Sequence, residues 1–312
     1  MWLDFAYLLI GGLGVWIGAE GLVRGAVRLA AYFGVSSLII GLTVVAFGTS
    51  APELVVSSLA AMRGHSQIAL GNVLGSNVIN IGLVLGLSVV IAPISVSSEV
   101  LKRDIPFVII ATLATVILAW HGSSLGQIDG VLLLLGFVGY SYINYRLALQ
   151  EQARNTAAPG WQRQEIKASY ILMLVGGIIL LPLGAEGMVS GAVGLAEAFN
   201  VDKRIIAMTI VAFGTSVPEL AASMVAAKHG ESDLALGNVV GSNIYNLLLI
   251  LGTSVLIAPI KIHLTARSFD FMLMVLITLL LAPLISRGRG LSRVDGIILL
   301  SIYVLFNVCI MF

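Results

Sequence analysis

A chain of 312 residues that is 58% hydrophobic and only 11% charged, with a mean hydropathy of +1.03, lies far outside the range of soluble domains and reads as an integral membrane protein. A formal net charge of +1 without any run of like charges argues against a nucleic-acid partner. The single cysteine, Cys309, excludes an internal disulfide or a thiolate metal cluster and reads as one more apolar residue of a terminal helix.

In chain order, the opening stretch "MWLDFAYLLI" has no positively charged leader and no small-residue cleavage pattern before Glu20, so it reads as a retained first helix. About 20 mainly apolar residues cross a bilayer core. That template predicts ten spans, at 3–28, 36–62, 67–93, 104–120, 126–148, 169–195, 203–227, 234–259, 267–286 and 292–311. Residues 151–167 carry charges, Asn, Pro and Gly without periodicity and form the one polar connection of any length. The predicted organisation is a first five-helix repeat over 1–150, a cytoplasmic linker over 151–168 and a second five-helix repeat over 169–312, together one domain.

Basic residues orient the chain. With the N-terminus outside, the inner connections hold Arg24, Arg28, Lys102, Arg103, Arg146, Arg154, Arg163, Lys167, Lys228, Arg287, Arg289 and Arg293, twelve of the seventeen. Arg63, Lys203, Arg204, Lys261 and Arg267 fall outside. The asymmetry favours both termini outside and the linker in the cytoplasm of a cell that carries the protein in its plasma or inner membrane.

The two halves are copies at a constant offset of 166, which takes Glu20 to Glu186, Glu53 to Glu219, Ser76 to Ser242, Asn80 to Asn246 and Pro93 to Pro259. Between 41–94 and 207–260, 33 of 54 positions are identical, so the copying is best preserved in one block of each half. Five spans per unit is an odd number, so the second copy enters the membrane from the opposite side. The expected fold is all-α, ten transmembrane helices as two inverted five-helix repeats, with helices 2 and 7 broken and the site near mid-membrane at the repeat interface.

The breaks are predicted from "AFGTSAPE" at 46–53 and "AFGTSVPE" at 212–219. Pro52 lacks an amide hydrogen and its ring clashes with the carbonyl four residues back, while Ala51 is pushed out of the α region, so the helix is expected to open near Gly48 to Ala51. Carbonyls released inside a bilayer persist only where they line a cavity or meet a ligand. Thr49 and Ser50 add hydroxyl oxygens and Glu53 two carboxylate oxygens; Thr215, Ser216, Pro218 and Glu219 repeat the arrangement. Two facing copies make an oxygen-rich cage suited to hard cations, since calcium takes six to eight oxygen ligands. Two empty carboxylates about 5 Å apart would repel by roughly 3 kcal/mol at an effective dielectric of about 20, so a divalent cation, two monovalent ones or protons must occupy the site.

The next helix of each half carries "GNVLGSNVIN" at 71–80 and "GNVVGSNIYN" at 237–246. Gly71 with Gly75, and Gly237 with Gly241, have the small-xxx-small spacing of close helix approach. Ser76 with Asn80, and Ser242 with Asn246, lie four apart on one face and can present oxygens to the cage. Asn72, Asn77, Asn238 and Asn243 are expected to hydrogen-bond between helices. Glu20 is expected near a membrane interface, paired with Arg24 at i+4, and so is Glu186, although Ser190 stands at the place matching Arg24. Asp104, Asp129, Asp270 and Asp295 read as favourable charges at helix N-termini. The four histidines fall at span ends, and no HExxH, GxSxG or phosphate loop occurs, so no enzyme chemistry is indicated.

"GLTVVAFGTSAPEL" with "GNVLGSNVIN", repeated as "AMTIVAFGTSVPEL" with "GNVVGSNIYN", resembles the two α-repeats of the sodium/calcium exchanger family of the calcium/cation antiporter superfamily, in a compact prokaryotic form. The resemblance implies that Glu53 and Glu219 bind calcium with the carbonyls of Thr49 and Thr215. It implies sodium sites that use the same glutamates with Ala46, Ser50 and Ser76 in one half and Ala212, Ser216 and Ser242 in the other, with Asn80 and Asn246 at the centre. It also implies that the first and sixth helices, which carry "GAEG" at 18–21 and 184–187, slide over the other eight. The expected activity is antiport of Na+ against Ca2+ by alternating access, normally exporting Ca2+, with no cofactor and with a single chain sufficient. Proton-coupled exchange of calcium or another divalent cation is the alternative, against which stands GTSxPE where proton-coupled relatives carry a GNxxEH-like motif; a passive cation channel is a further one. Some relatives, including those that move potassium, have an aspartate where this chain has Asn246.

Overall fold

The bilayer interior offers backbone N–H and C=O groups no partner but one another, and the chain answers with helices almost throughout. The structure, a computed structural model, describes residues 2–97, 99–121, 124–157, 167–199, 212–262, 264–288 and 290–311. In chain order these form α1 (Trp2–Phe33), α2 (Ser37–Thr49), α3 (Ala51–Met62), α4 (Ser66–Ile91), β1 (Ile94–Ser95), α5 (Val100–His121), β2 (Ser124–Leu125), α6 (Gln127–Thr156) and α7 (Ala168–Ala198). The second half continues with α8 (Ala212–Gly214), α9 (Val217–Lys228), α10 (Ser232–Ile257), β3 (Ile260–Lys261), α11 (Leu264–Gly288), β4 (Gly290–Leu291) and α12 (Arg293–Met311).

Among the described residues, α1, α4, α5, α6, α7, α10 and residues 268–288 of α11 are each long and apolar enough to cross a membrane. An eighth crossing is the pair α2 and α3, bent by 46°. Two predicted spans remain: the one at 292–311 is helix α12, and the one at 203–227 is described only from Ala212 onward, as α8 and α9. Thr209, Lys203 and Arg204 lie outside the described residues.

Two helices form the centre. In their most apolar 18-residue stretches α4 is 72% and α10 78% buried, against 33% for α1, 28% for α7 and 17% for α6. The sequence allows this because small residues replace bulky ones where backbones meet. A Cβ on Gly237 of α10 would stand 2.8 Å from the Leu38 carbonyl oxygen of α2, and one on Gly41 would stand 2.8 Å from the Leu234 carbonyl oxygen. Both central helices widen into a π-helical turn, at Asn80–Leu85 in α4 and Tyr245–Ile250 in α10, where the asparagines of the repeated motif sit.

On the periphery, α1 and α7 run antiparallel in contact along nearly their whole length, and each packs far more on the other than on the rest. Glycines make the seam: a Cβ on Gly177 would lie 2.6 Å from the Gly18 carbonyl oxygen, one on Gly184 2.6 Å from the Val15 nitrogen, and one on Gly25 2.8 Å from the Tyr170 carbonyl oxygen.

The halves exchange small ribbons as an inverted repeat requires. β1 pairs with β4 through Ile94 and Leu291, and β2 pairs with β3 through Leu125 and Ile260. Shifting either pair by 166 residues gives the other. The linker begins later than predicted, because residues 151–156 continue α6 as helix. Glu151 accepts a hydrogen bond from the Ser36 amide at 2.8 Å and so caps α2, while Asn155 donates to the Gly34 carbonyl at 2.8 Å. Gly34, at φ +69°, turns the chain from α1 into α2, a conformation that favours glycine.

Two of the four aspartates behave as expected: Asp129 accepts from the Gly126 amide at 2.7 Å and Asp295 from the Ser292 amide at 2.8 Å. Asp104 does not cap α5. It is buried, and Arg103 donates to both its oxygens at 2.9 and 2.8 Å. Asp270 is also not at a helix start, since α11 already begins at Leu264.

Gly237→Ala therefore forces α2 and α10 apart and is expected to cost about 1–3 kcal/mol. Gly139→Ala, at an exposed position where no described atom would meet the added methyl, is expected to cost nothing. Thermal unfolding in detergent, read by tryptophan fluorescence, distinguishes the two.

Candidate functional site

The first broken helix interrupts at Ser50 alone, the second at Thr215 and Ser216. Ser50 (φ −83°, ψ 4°) separates α2 from α3 and Ser216 (φ −89°, ψ 2°) precedes α9, and in both the proline stands within the first two positions of the helix that follows. The break is tighter than predicted, spanning Ser50 rather than Gly48 to Ala51. Its physical cause is as expected, since Pro52 and Pro218 have no N–H to return to Gly48 and Gly214. Restarting the helix one residue before proline puts Glu53 and Glu219 in the first turns of α3 and α9, where unsatisfied N–H groups favour negative charge.

Both carboxylates are buried, at 1% and 0% exposure, and face each other's half. Ser50 donates to Glu219 Oε1 at 2.9 Å across the repeat interface, and Ser242 donates to the same oxygen at 3.5 Å. Thr215 and Ser216 stand in the corresponding position toward Glu53. Among the described residues no lysine, arginine or histidine pairs with either glutamate.

Around the carboxylates a second ring of amides joins the halves. Asn238 of α10 accepts from the Thr49 hydroxyl at 3.0 Å and donates to Ser223 Oγ at 2.9 Å. Its copy Asn72 accepts from Thr215 at 3.5 Å and donates to Ser57 Oγ at 2.9 Å. Asn80 donates to Asn243 Oδ1 at 3.1 Å, and Asn246 to Ser76 Oγ at 2.9 Å. Asn243 reaches the Asn77 carbonyl at 3.4 Å, whereas Asn77 departs from the expected interhelical role and bonds back to Val73 of its own helix at 2.7 Å.

What remains is a set of oxygens without donors. Both oxygens of Glu53, Oε2 of Glu219, Oγ of Ser216 and the amide oxygens of Asn80 and Asn246 are buried and have no hydrogen-bond partner among the described residues. Leaving such groups unpaired costs about 1–3 kcal/mol each, and more for a charge, so six of them on the two broken helices and the asparagine motifs joined to them mark a site for something that accepts electron pairs. A hard cation is the matching chemistry.

The predicted ligands do not all stand alike. Thr49, Ser50, Ser76, Ser242, Asn80 and Asn246 are buried with the glutamates, and Thr215 is half-buried. Ala46 is buried too, but its carbonyl already accepts from the Ser50 amide at 3.0 Å and from the Thr49 hydroxyl at 3.4 Å. In the second half the Ser216 amide turns to Phe213 at 3.0 Å instead, so it leaves the Ala212 carbonyl alone; the Ala212 side chain lies outside the described atoms. Ser57, Ser223 and the histidine at 229 were missed by sequence reasoning. The two serines each follow a glutamate by one turn and recur at offset 166, a signal available without coordinates.

Asn238→Ala strands the Thr49 and Ser223 hydroxyls and is expected to cost about 1–3 kcal/mol. Asn72→Ala should cost less, because its threonine bond is half an ångström longer. Unfolding midpoints of the two variants in detergent test the ranking.

Comparison with known proteins identifies the family and the fold. Residues 3–146 and again 169–312 match the family model described as sodium/calcium exchanger protein. The inner membrane protein YrbG of Escherichia coli K12 is 34% identical over 305 residues, covering 94% of this chain and 93% of YrbG. The sodium/calcium exchanger MaX1 of Methanosarcina acetivorans is 30% identical over 347 residues, covering 99% of each. A solved structure of the sodium-calcium exchanger NCX_Mj, soaked with 10 mM Na+ and 10 mM Sr2+, superposes with a TM-score of 0.82 at 34% identity and 97% coverage of both chains.

Proposed function

Since this chain belongs to the sodium/calcium exchanger protein family, matched in both its halves, we propose that it exchanges Na+ for Ca2+ by alternating access at the Glu53–Glu219 site. The observation that carries the reading is the pair of buried carboxylates without a cationic side chain, ringed by unpartnered oxygens. Burying an ionised carboxylate costs several kcal/mol unless its charge is met, so the site holds cations or protons in every state that leads to transport. One Ca2+ and two Na+ neutralise the same two charges, which makes the ions competitors.

In this reading Glu53 and Glu219 clasp Ca2+ together with the carbonyls of Thr49 and Thr215. Na+ takes the same glutamates with Ser50, Ser76 and Ala46 from one half and Ser216, Ser242 and Ala212 from the other, and Asn80 and Asn246 supply neutral oxygens at the centre. Ala46 must first release the Thr49 hydroxyl. Both glutamates come from one chain, which supports a working monomer. The inward sodium gradient would drive calcium export.

Ten crossings are part of the same proposal, and a parity argument supports them. Two paired strands lie on one side of the membrane, so an even number of crossings separates β1 from β4. Among the described residues, α5, α6, α7, α10 and α11 supply five. Helix α9 then belongs to the sixth, as the broken seventh span. The distribution of Lys and Arg supports termini outside and the linker in the cytoplasm.

The test is calcium-45 uptake into proteoliposomes loaded with sodium and diluted into sodium-free buffer, beside vesicles loaded with potassium at the same pH. Uptake is expected only from sodium-loaded vesicles, and Glu53→Gln is expected to reduce it at least about tenfold, equivalent to 1.4 kcal/mol. Uptake that ignores sodium and follows an imposed pH gradient would move the protein to proton-coupled exchange.

A further inference from the structure

Glu20 and Glu186 recur at the repeat offset, yet the ion site uses neither. Glu20 sits on α1 and accepts from Arg24 Nε at 2.7 Å. Its second partner comes from the other half: His229, at the C-terminal end of α9, places Nε2 at 3.0 and 3.1 Å from the two Glu20 oxygens. Beside it the Lys228 ammonium lies 4.8 Å from the centre of the Trp16 ring, again joining α9 to α1. These contacts fasten the α1–α7 pair to the broken helix that carries Glu219, at the end of the bundle marked by Arg24 and Arg28. His229 also lines an open cavity of about 420 Å³ whose wall includes Arg28, Tyr170 and Glu231.

Moving each partner by 166 residues turns Glu20 and His229 into Glu186, on α7, and Arg63, at the end of α3. Glu186 and Arg63 have opposite charge, and by the inversion they lie at the opposite end of the bundle. In this structure both are exposed, and no ion pair joins them. The halves thus share a sequence pattern but differ in conformation, and the difference runs through the site. Ser50 donates to Glu219 at 2.9 Å while Ser216 Oγ, which faces Glu53, makes no hydrogen bond among the described residues, and the Ser50 amide reaches Ala46 while that of Ser216 reaches Phe213. Two halves built on one repeated pattern that adopt two arrangements can exchange them, and exchange carries the α1–α7 pair to the other end of the same contact set.

We infer that Glu20–His229 and Glu186–Arg63 are alternate latches: each ties the α1–α7 pair to the core at one end of the bundle, and only one is closed at a time. The structure then shows the arrangement latched at the Arg24 end, which is cytoplasmic in the proposed orientation. The inference deepens the alternating-access reading and rests on it. The four residues are positioning residues. They set the balance between the two arrangements and touch no transported ion.

The test is hydrogen–deuterium exchange of the intact protein in lipid nanodiscs, read at the backbone amides of residues 225–231. Releasing the closed latch with Glu20→Gln is expected to speed their exchange about two- to fivefold, the range that a partly exposed ion pair commands. Weakening the open one with Glu186→Gln is expected to slow the same amides by a similar factor, because it lowers the population of the opposite arrangement. The double variant should return toward the unmodified protein, and His229→Gln and Arg63→Gln should repeat the two directions. A merely structural role would move all four the same way, and that result, or no effect of Glu186→Gln, would overturn the inference. The readout needs no ion flux. Loss of sodium-dependent uptake in the unmodified protein would sink the exchanger reading without touching this result, and a failed exchange pattern with intact uptake would sink only the latches.

Discussion

Two carboxylates share one buried site with no basic side chain among the described residues to neutralise them, and most of the architecture is a means of tolerating that. Hydrocarbon forbids unpaired charge, so Glu53 and Glu219 need positive character from other sources. The first source is the start of a half-helix, which requires each span to break, and the breaks at Ser50 and Ser216 are set by prolines that cannot continue the hydrogen-bond ladder. The second, in the proposed function, is the cargo. A site whose charge is met by what it carries would be unstable when empty, and that instability would couple the movement of one ion to that of another.

The central helices α4 and α10 serve this site by being small where they touch and polar where they face it. Asn72 and Asn238 show how far the coupling reaches: each takes the threonine of one half's break and holds the serine one turn beyond the other half's glutamate. A displacement of either broken helix is therefore felt by the opposite carboxylate. The glycine seam of α1 and α7 has the converse property, since two helices that pack chiefly on each other can travel together while the rest stays assembled.

Much of this was legible in residues. The GTSxPE pairs announced the breaks and the acids, because proline and carboxylate are both costly in an apolar span and their recurrence at one offset removes chance. That Ser76 and Asn80, and Ser242 and Asn246, share a buried face followed from helical spacing. Other features were not legible. Pro182 and Pro283 lie inside the continuous helices α7 and α11, so a proline in a span does not by itself predict a break. Residues 151–156 lacked apolar periodicity and still form helix, because Glu151 and Asn155 find partners at the turn between α1 and α2.

The sequence alone determined that the chain lies in a membrane, that it is two copies of one unit in opposite orientation, and that each copy breaks a span next to an acid. These follow from composition, from an odd number of spans and from local backbone chemistry, none of which needs a tertiary contact. Only the tertiary structure decided which oxygens are left without donors, which asparagine serves which threonine, and that Glu20 meets His229 while Glu186 and Arg63 stand apart. Symmetry in the sequence makes the halves equivalent, and a single folded arrangement must make them unequal, because one helix pair cannot close on both ends of the bundle at once.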